Sequence, residues 1–181
     1  MIRNVALKNA LSNTVFRFFS LINKVIPKNQ NEIMLYSNLG FRDNIQAIYE
    51  YLIDQGYNKK YHIVLSSKDA PETVPENVEA IGNLKGVFRY LRCGHVYYAF
   101  GKIPIYPTQD QCVIQMWHGT PFKGIDEGMR TVNKAKSYLT YAFVSSEFFT
   151  EIGCTLFSCK PENIAICGQP RTDVMFGQEK R

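Results

Sequence analysis

The fold is decided by residues 32–65, EIMLYSNLGFRDNIQAIYEYLIDQGYNKKYHIVL. Ile33-Met34-Leu35-Tyr36 is a short continuous apolar run of the kind that makes a strand covered on both faces, and a Gly40-containing turn follows it. Asp43 then stands three residues before Gln46 in the manner of a capping box, and Ile45, Ile48, Tyr49 and Leu52 recur at helical spacing until Gly56 stops the pattern. A second apolar run occupies 61–65. Strand, helix and strand in about thirty residues make one crossover unit of a parallel sheet.

The same alternation continues downstream. Leu84, Val87, Phe88 and Leu91 mark a helix closed by Gly94, followed by strands over 96–100 and 112–117. A glycine-rich loop and a helical stretch around 132–139 come next. Strands over 141–144 and 163–167 flank a helix that Ser145 or Ser146 caps. The expectation is an α/β fold: a Rossmann-like parallel sheet flanked by helices, without internal repeats.

At 181 residues the chain is long enough for one cored domain, with 45% hydrophobic and 20% charged residues. That balance excludes disorder, collagen and coiled coil as overall descriptions. There are 21 Lys+Arg against 16 Asp+Glu, a net 21 − 16 = +5, and five cations (Arg3, Lys8, Arg17, Lys24, Lys28) precede the first acid, Glu32. The remaining 16 and 16 cancel. A neutral body with one cationic end argues against nucleic acid as a partner, since such binders spread cations over a whole groove-facing surface. Cys93, Cys112, Cys154, Cys159 and Cys167 contain no C-x-x-C pair, so they are expected to be reduced small hydrophobes, with no metal role.

Within residues 1–28, a helical wheel puts Leu7, Leu11, Val15, Phe18, Leu21, Ile22 and Val25 on one face, with Asn9, Asn13, Arg17, Ser20, Asn23 and Lys24 opposite. Pro27 ends the pattern. Polar residues interrupt it too often for a membrane span or a signal peptide. Two uses are open: a helix lying on an anionic membrane surface, or one packing on the protein's own core.

In an open parallel sheet, ligands bind beyond the carboxyl ends of the strands, so the loops that directly follow strands carry the chemistry. Trp117-His118-Gly119-Thr120-Pro121-Phe122-Lys123-Gly124 follows the fourth strand and combines an imidazole able to exchange a proton near neutral pH with glycines, a hydroxyl and a cation. His118 reads either as a base or as a histidine satisfied by backbone at a strand end. Gly168-Gln169-Pro170-Arg171-Thr172-Asp173 follows the last strand; Arg171 either pairs with Asp173 and supports a turn or reaches a phosphate. Ser37-Asn38-Leu39-Gly40-Phe41-Arg42-Asp43 precedes a helix, and capping accounts for Asp43. His62 and His95 read as structural.

Tyr36-Ser37-Asn38 with Ala47-Ile48-Tyr49-Glu50-Tyr51-Leu52, then Gln115 to Lys123, then Gly168 to Asp173, resemble in order and spacing the CDP-glycerol glycerophosphotransferase family of teichoic acid synthesis, over residues 32–181. Phe122 stands where that family usually has leucine. The resemblance implies the N-terminal, acceptor-side domain of a GT-B fold, with the donor-binding domain and a second functional histidine in a C-terminal half. It implies transfer of glycerol phosphate or another polyol phosphate from a CDP-activated donor to a lipid-linked polymer acceptor, at the cytoplasmic face of the membrane and without a cofactor. His118 takes the role of base for the acceptor hydroxyl, with Gly119, Thr120, Lys123 and Arg171 as candidates for substrate binding. The expected organisation is a membrane-surface helix over 1–28 and a Rossmann-like domain over 32–181, a half inactive alone. Two alternatives stand beside it: a non-catalytic membrane-docking module that binds acceptor or partner, and a fragment of another GT-B glycosyltransferase.

Overall fold

The computed structural model describes residues 5–119 and 137–176. Seven parallel strands form one sheet: β1 (Asn29–Ser37), β2 (His62–Ser66), β3 (Val78–Ile81), β4 (Cys93–Phe100), β5 (Cys112–Gln115), β6 (Tyr141–Val144) and β7 (Ile164–Ile166). Their order is β3-β2-β1-β4-β5-β6-β7. The chain winds outward from β1 in one direction and from β4 in the other, so the carboxyl ends of these two strands flank a topological switch point. Six strands follow the apolar runs read from sequence. The seventh, β3, is a half-buried edge strand whose Glu79 meets Arg89 and His62, a composition that carries no apolar signal.

Side chains alternate between the two faces of the sheet, and each face has its own core. Met34, Tyr36, Val64, Val96, Tyr98 and Val113 lie under α1 (Val5–Asn23) and α3 (Asn83–Tyr90). Ile33, Leu35, Ile63, Leu65, Ala99 and Met116 lie under α2 (Asp43–Asp54), which inserts Ile45 and Leu52. Two-sided burial is why the strands read as continuous apolar runs. A fourth helix, α4 (Thr150–Phe157), packs Gly153 against Val144 of β6, where a Cβ would approach a valine methyl to 2.8 Å.

Helix α1 uses its faces differently from the wheel. Phe16, Phe19 and Ile22 pack on the core, while Ser20 and Asn23, assigned to the polar face, are buried. The Ser20 hydroxyl accepts from the Tyr106 amide at 3.1 Å and donates to the Phe16 carbonyl at 2.8 Å. Val15, Phe18, Leu21 and Val25, assigned to the apolar face, are exposed. Buried hydrogen bonds let polar groups occupy the contact, and the apolar stripe faces outward. No helix among the described residues is long and apolar enough to cross a membrane.

The five cysteines are free. Burial pushes the Cys93 and Cys159 thiols up to about 12, so neither is a reactive thiolate near neutral pH. His62 lies between Asn77 and Glu79, and His95 Nε2 is 3.1 Å from the Gln30 carbonyl, so both serve the scaffold. The helical stretch expected around 132–139 lies largely outside the described residues.

Candidate active site

Each strand that ends at the switch point delivers a loop to the same region. After β1, Gly40 takes a positive φ of 116° and a Cβ there would collide with the Asp69 carboxylate. Asp69, from the loop after β2, accepts from the Phe41 amide and the Ser67 hydroxyl. The Ser67 hydroxyl, then the Phe41 amide, hold its carboxyl below the usual carboxylate range. After β4, Gly101 has φ 73° and leaves room for the Asn38 side chain.

Gln115 at the end of β5 anchors the loop that follows it. Its Nε2 donates to the Gly101 carbonyl at 3.1 Å, and its Oε1 accepts from the Trp117 amide at 3.1 Å. Trp117 has φ 59°, a left-handed conformation that a bulky residue adopts only at a cost of about 1–3 kcal/mol. The turn places His118 against Phe100, the last residue of β4, with ring centroids 4.7 Å apart and planes 10° from parallel. The Trp117 indole stacks on the same imidazole at 4.2 Å and 28°. Two rings at these separations would overlap if they shared one face, so the imidazole is sandwiched between them. Phe157 of α4 meets the indole edge to face at 5.4 Å.

Asn44, fully buried, connects three of the loops. Its Nδ2 donates to the Trp117 carbonyl at 2.8 Å and to Gln169 Oε1 at 2.9 Å, while its Oδ1 accepts from the Arg171 amide at 3.1 Å. Beside it, the Arg171 guanidinium donates to Asp43 Oδ2 at 2.6 Å. Arg171 therefore pairs across the site, not with Asp173 two residues on. Asp43 is not a helix cap either: the N-cap position falls on Arg42, no side-chain cap bond is present, and Asp43 itself has φ 61°. Its carboxylate faces Arg171 and the Asn44 amide instead.

Of the five residues expected to carry function, the structure brings together His118, Gly119 and Arg171. A Cβ at Gly119 would lie 3.3 Å from the Arg171 guanidinium, so that glycine lets the cation approach the loop backbone. Thr120 and Lys123 lie outside the described residues. Beneath the loop, Trp117, Gly119, Ser145, Phe149, Phe157 and Gln169 line a cleft enclosing about 10 Å³, room for a single water. Among the described residues no group of three His, Cys, Asp or Glu side chains suits a metal.

Sequence reasoning missed Asn44, Phe100 and Gln115. Asn44 carried one signal: it begins the buried stripe that continues through Ile45, Ile48 and Leu52, and a polar residue there demands a partner. Gln115 carried the same signal, a polar residue inside the apolar run 112–117, whereas Phe100 continues an apolar run and carries no such sign.

A parallel sheet wound outward from a central switch point, with His118 and Arg171 on the loops above it, defines a Rossmann-like α/β domain. Residues 18–181 match the family model for CDP-glycerol:poly(glycerophosphate) glycerophosphotransferase, and the chain belongs to that family. It is 26% identical over 162 residues to a teichoic acid poly(glycerol phosphate) polymerase of Staphylococcus epidermidis, covering 79% of this chain and 22% of that protein. A polymerase of the same description from Bacillus spizizenii is 25% identical over 189 residues, 91% of this chain and 48% of that one. Among solved structures, the wall teichoic acid polymerase TagF shares the fold with a TM-score of 0.70 at 22% identity, over 96% of this chain and 49% of that one. The chain thus spans about half or less of the relatives it matches.

Proposed function

We propose that this chain forms the acceptor side of a polyol-phosphate transferase of teichoic acid synthesis, with His118 as the base for the acceptor hydroxyl. The observation that carries the reading is the placement of the His118 imidazole, clamped between Phe100 and Trp117 at the switch point. The acceptor oxygen attacks the phosphorus that bears the polyol in CDP-glycerol or a related CDP-polyol. The bond from that phosphorus to the CMP oxygen breaks, CMP leaves, and the hydroxyl proton passes to the imidazole. Clamping fixes the direction of proton transfer and removes rotamer freedom before substrate arrives. Arg171, with its charge partly met by Asp43, approaches the loop backbone at Gly119, and its role is to orient an acceptor phosphate. The nucleotide of the donor is assigned to the part of the relatives that this chain does not span.

The acceptor is taken to be a lipid-linked polymer met at an anionic membrane surface, where the protein sits peripherally. Exposed Val15, Phe18, Leu21 and Val25, with Arg17 and Lys24 among them, support this. Leu84 and Phe88 of α3 extend the apolar surface, Phe88 contacting Phe19 at 5.8 Å. Apolar side chains beside cations suit an interface in which each cation near the surface contributes about 1 kcal/mol.

The test is a chimera in which this chain replaces the matching half of the Bacillus spizizenii polymerase. His118→Ala lowers CMP release from CDP-glycerol in the presence of acceptor by about 10²–10⁴-fold, the usual contribution of a general base, while the melting curve is retained. Undiminished release by the folded variant overturns the assignment.

A further inference from the structure

We infer that Asn44 is a positioning residue for His118, holding the β5 loop in the left-handed turn that builds the imidazole sandwich; its relevance to transfer rests on the reading of His118 as the base. Trp117 has no side-chain reason to adopt φ 59°. Its backbone is gripped on both sides of that torsion, the amide by Gln115 Oε1 and the carbonyl by Asn44 Nδ2. Gln115 belongs to the strand that carries the loop and moves with it. Asn44 comes from the other side of the switch point, 73 residues away in sequence, and ties the Trp117 carbonyl to the start of α2.

The other arms of the same carboxamide explain why it stays put. Gln169 Oε1 takes the second N–H, and the Arg171 amide occupies Oδ1, so both donors and an acceptor position are used and the amide is fixed in one orientation. The Asp43–Arg171 pair lies immediately beside it, one residue back on α2 and on the same Gly168 loop. Rotating the Asn44 side chain would break three hydrogen bonds on two loops at once. Release of the Trp117 carbonyl lets the residue relax out of the left-handed region. The indole then swings, and His118 loses one wall of its clamp.

Trp117 is the only tryptophan, and there are three histidines, so the chain contains its own reporters. Asn44→Asp keeps the shape and the acceptor for the Arg171 amide but removes both N–H donors. In the folded variant the expected result is a red shift of tryptophan emission and loss of the ring-current displacement of the His118 imidazole protons, with His62 and His95 unmoved. Asn23→Asp, at the opposite edge of the sheet, controls for general loosening and leaves the Trp117 and His118 signals in place. An Asn44→Asp protein that keeps wild-type emission and wild-type His118 shifts overturns the inference. Should that variant not fold, exchange of the Asn44 side-chain amide protons in the wild-type chain decides. Exchange much slower than that of exposed Asn38, with cross-relaxation to Trp117, upholds the inference; exchange as fast as Asn38 overturns it. These readouts are independent of transfer. If His118 is not the base, the His118→Ala chimera stays active while Asn44→Asp still displaces the ring; if Asn44 does not position it, the ring stays whatever His118→Ala does.

Discussion

Two fully buried asparagines stand at opposite edges of the sheet and use the same bonding pattern. Asn23 donates to the Tyr106 carbonyl at 3.0 Å and to Gln111 Oε1 at 2.6 Å, and its Oδ1 accepts from Lys28 Nζ at 3.1 Å. Asn44 donates to a carbonyl and a glutamine Oε1 and accepts one N–H in the same way. At the amino edge the device fastens α1: Lys28 Nζ also caps the Asn23, Ile26 and Leu91 carbonyls, and Gln111 Nε2 closes the network on the Tyr90 and Cys93 carbonyls. At the carboxyl edge it fastens the loop that carries the His118 imidazole. The chemistry of the clamp is identical, and what it holds decides whether it is scaffold or site.

The comparison is tested first by deletion. Asn23→Ala leaves the Tyr106 carbonyl without its donor, although Gln111 Oε1 keeps the Thr108 amide, and Asn44→Ala leaves the Trp117 carbonyl and Gln169 Oε1 without theirs; each should cost about 1–3 kcal/mol of unfolding free energy in urea titrations. They differ in where the damage goes: only Asn44→Ala changes tryptophan emission before unfolding. If both do, the two edges are coupled and the division into scaffold and site fails. Lys28→Met removes the capping amine and should cost about 1 kcal/mol at pH 7. Desolvation holds the Lys28 amine below the ordinary lysine value of 10.5. The folded chain therefore releases that proton before the unfolded chain does, and wild-type stability rises as pH climbs toward 10.5. The gap between Lys28→Met and wild type should widen from pH 8 to pH 10; a constant gap contradicts the burial argument.

Arg171→Ala sharpens the site side of the comparison. The pair with Asp43 is partly exposed and screened by solvent, so its loss should cost only about 0.2–1 kcal/mol while the chimera loses affinity for acceptor. A large stability loss with normal acceptor affinity would make Arg171 scaffold. The smallest thermodynamic effect belongs to the outward stripe of α1. Phe18→Ser with Leu21→Ser should change stability by no more than about 0.5 kcal/mol, yet abolish flotation with anionic vesicles. Unchanged flotation would end the membrane proposal.

Much of the sheet was legible because two-sided burial writes strands as apolar runs, as at 33–36 and 61–65. The edge strand Val78–Ile81 was not, since its Glu79 faces ion-pair partners and its apolar residues are only half-buried. The position of His118 and Gly119 beyond the end of a strand was legible through a topological rule, that loops after parallel strands meet ligands. Ser20, Asn23 and Asn44 were hidden for a common reason. A wheel sorts polar from apolar, but a buried amide is stabilised by particular partners 73 to 127 residues distant, which periodicity does not encode. Asp43 and Arg171 show the same limit: each had a plausible local role, a cap and a partner at Asp173, and each is satisfied by the other across 128 residues.

The central claim, that the switch-point histidine meets the acceptor, can be tested directly on this chain by labelling its three histidines with ¹⁵N and titrating in a short glycerol-phosphate oligomer. The His118 side-chain resonances should shift with saturable dependence on the oligomer while those of His62 and His95 stay fixed. A His118 that ignores the oligomer but responds to CDP-glycerol would place the donor at this site and contradict the account.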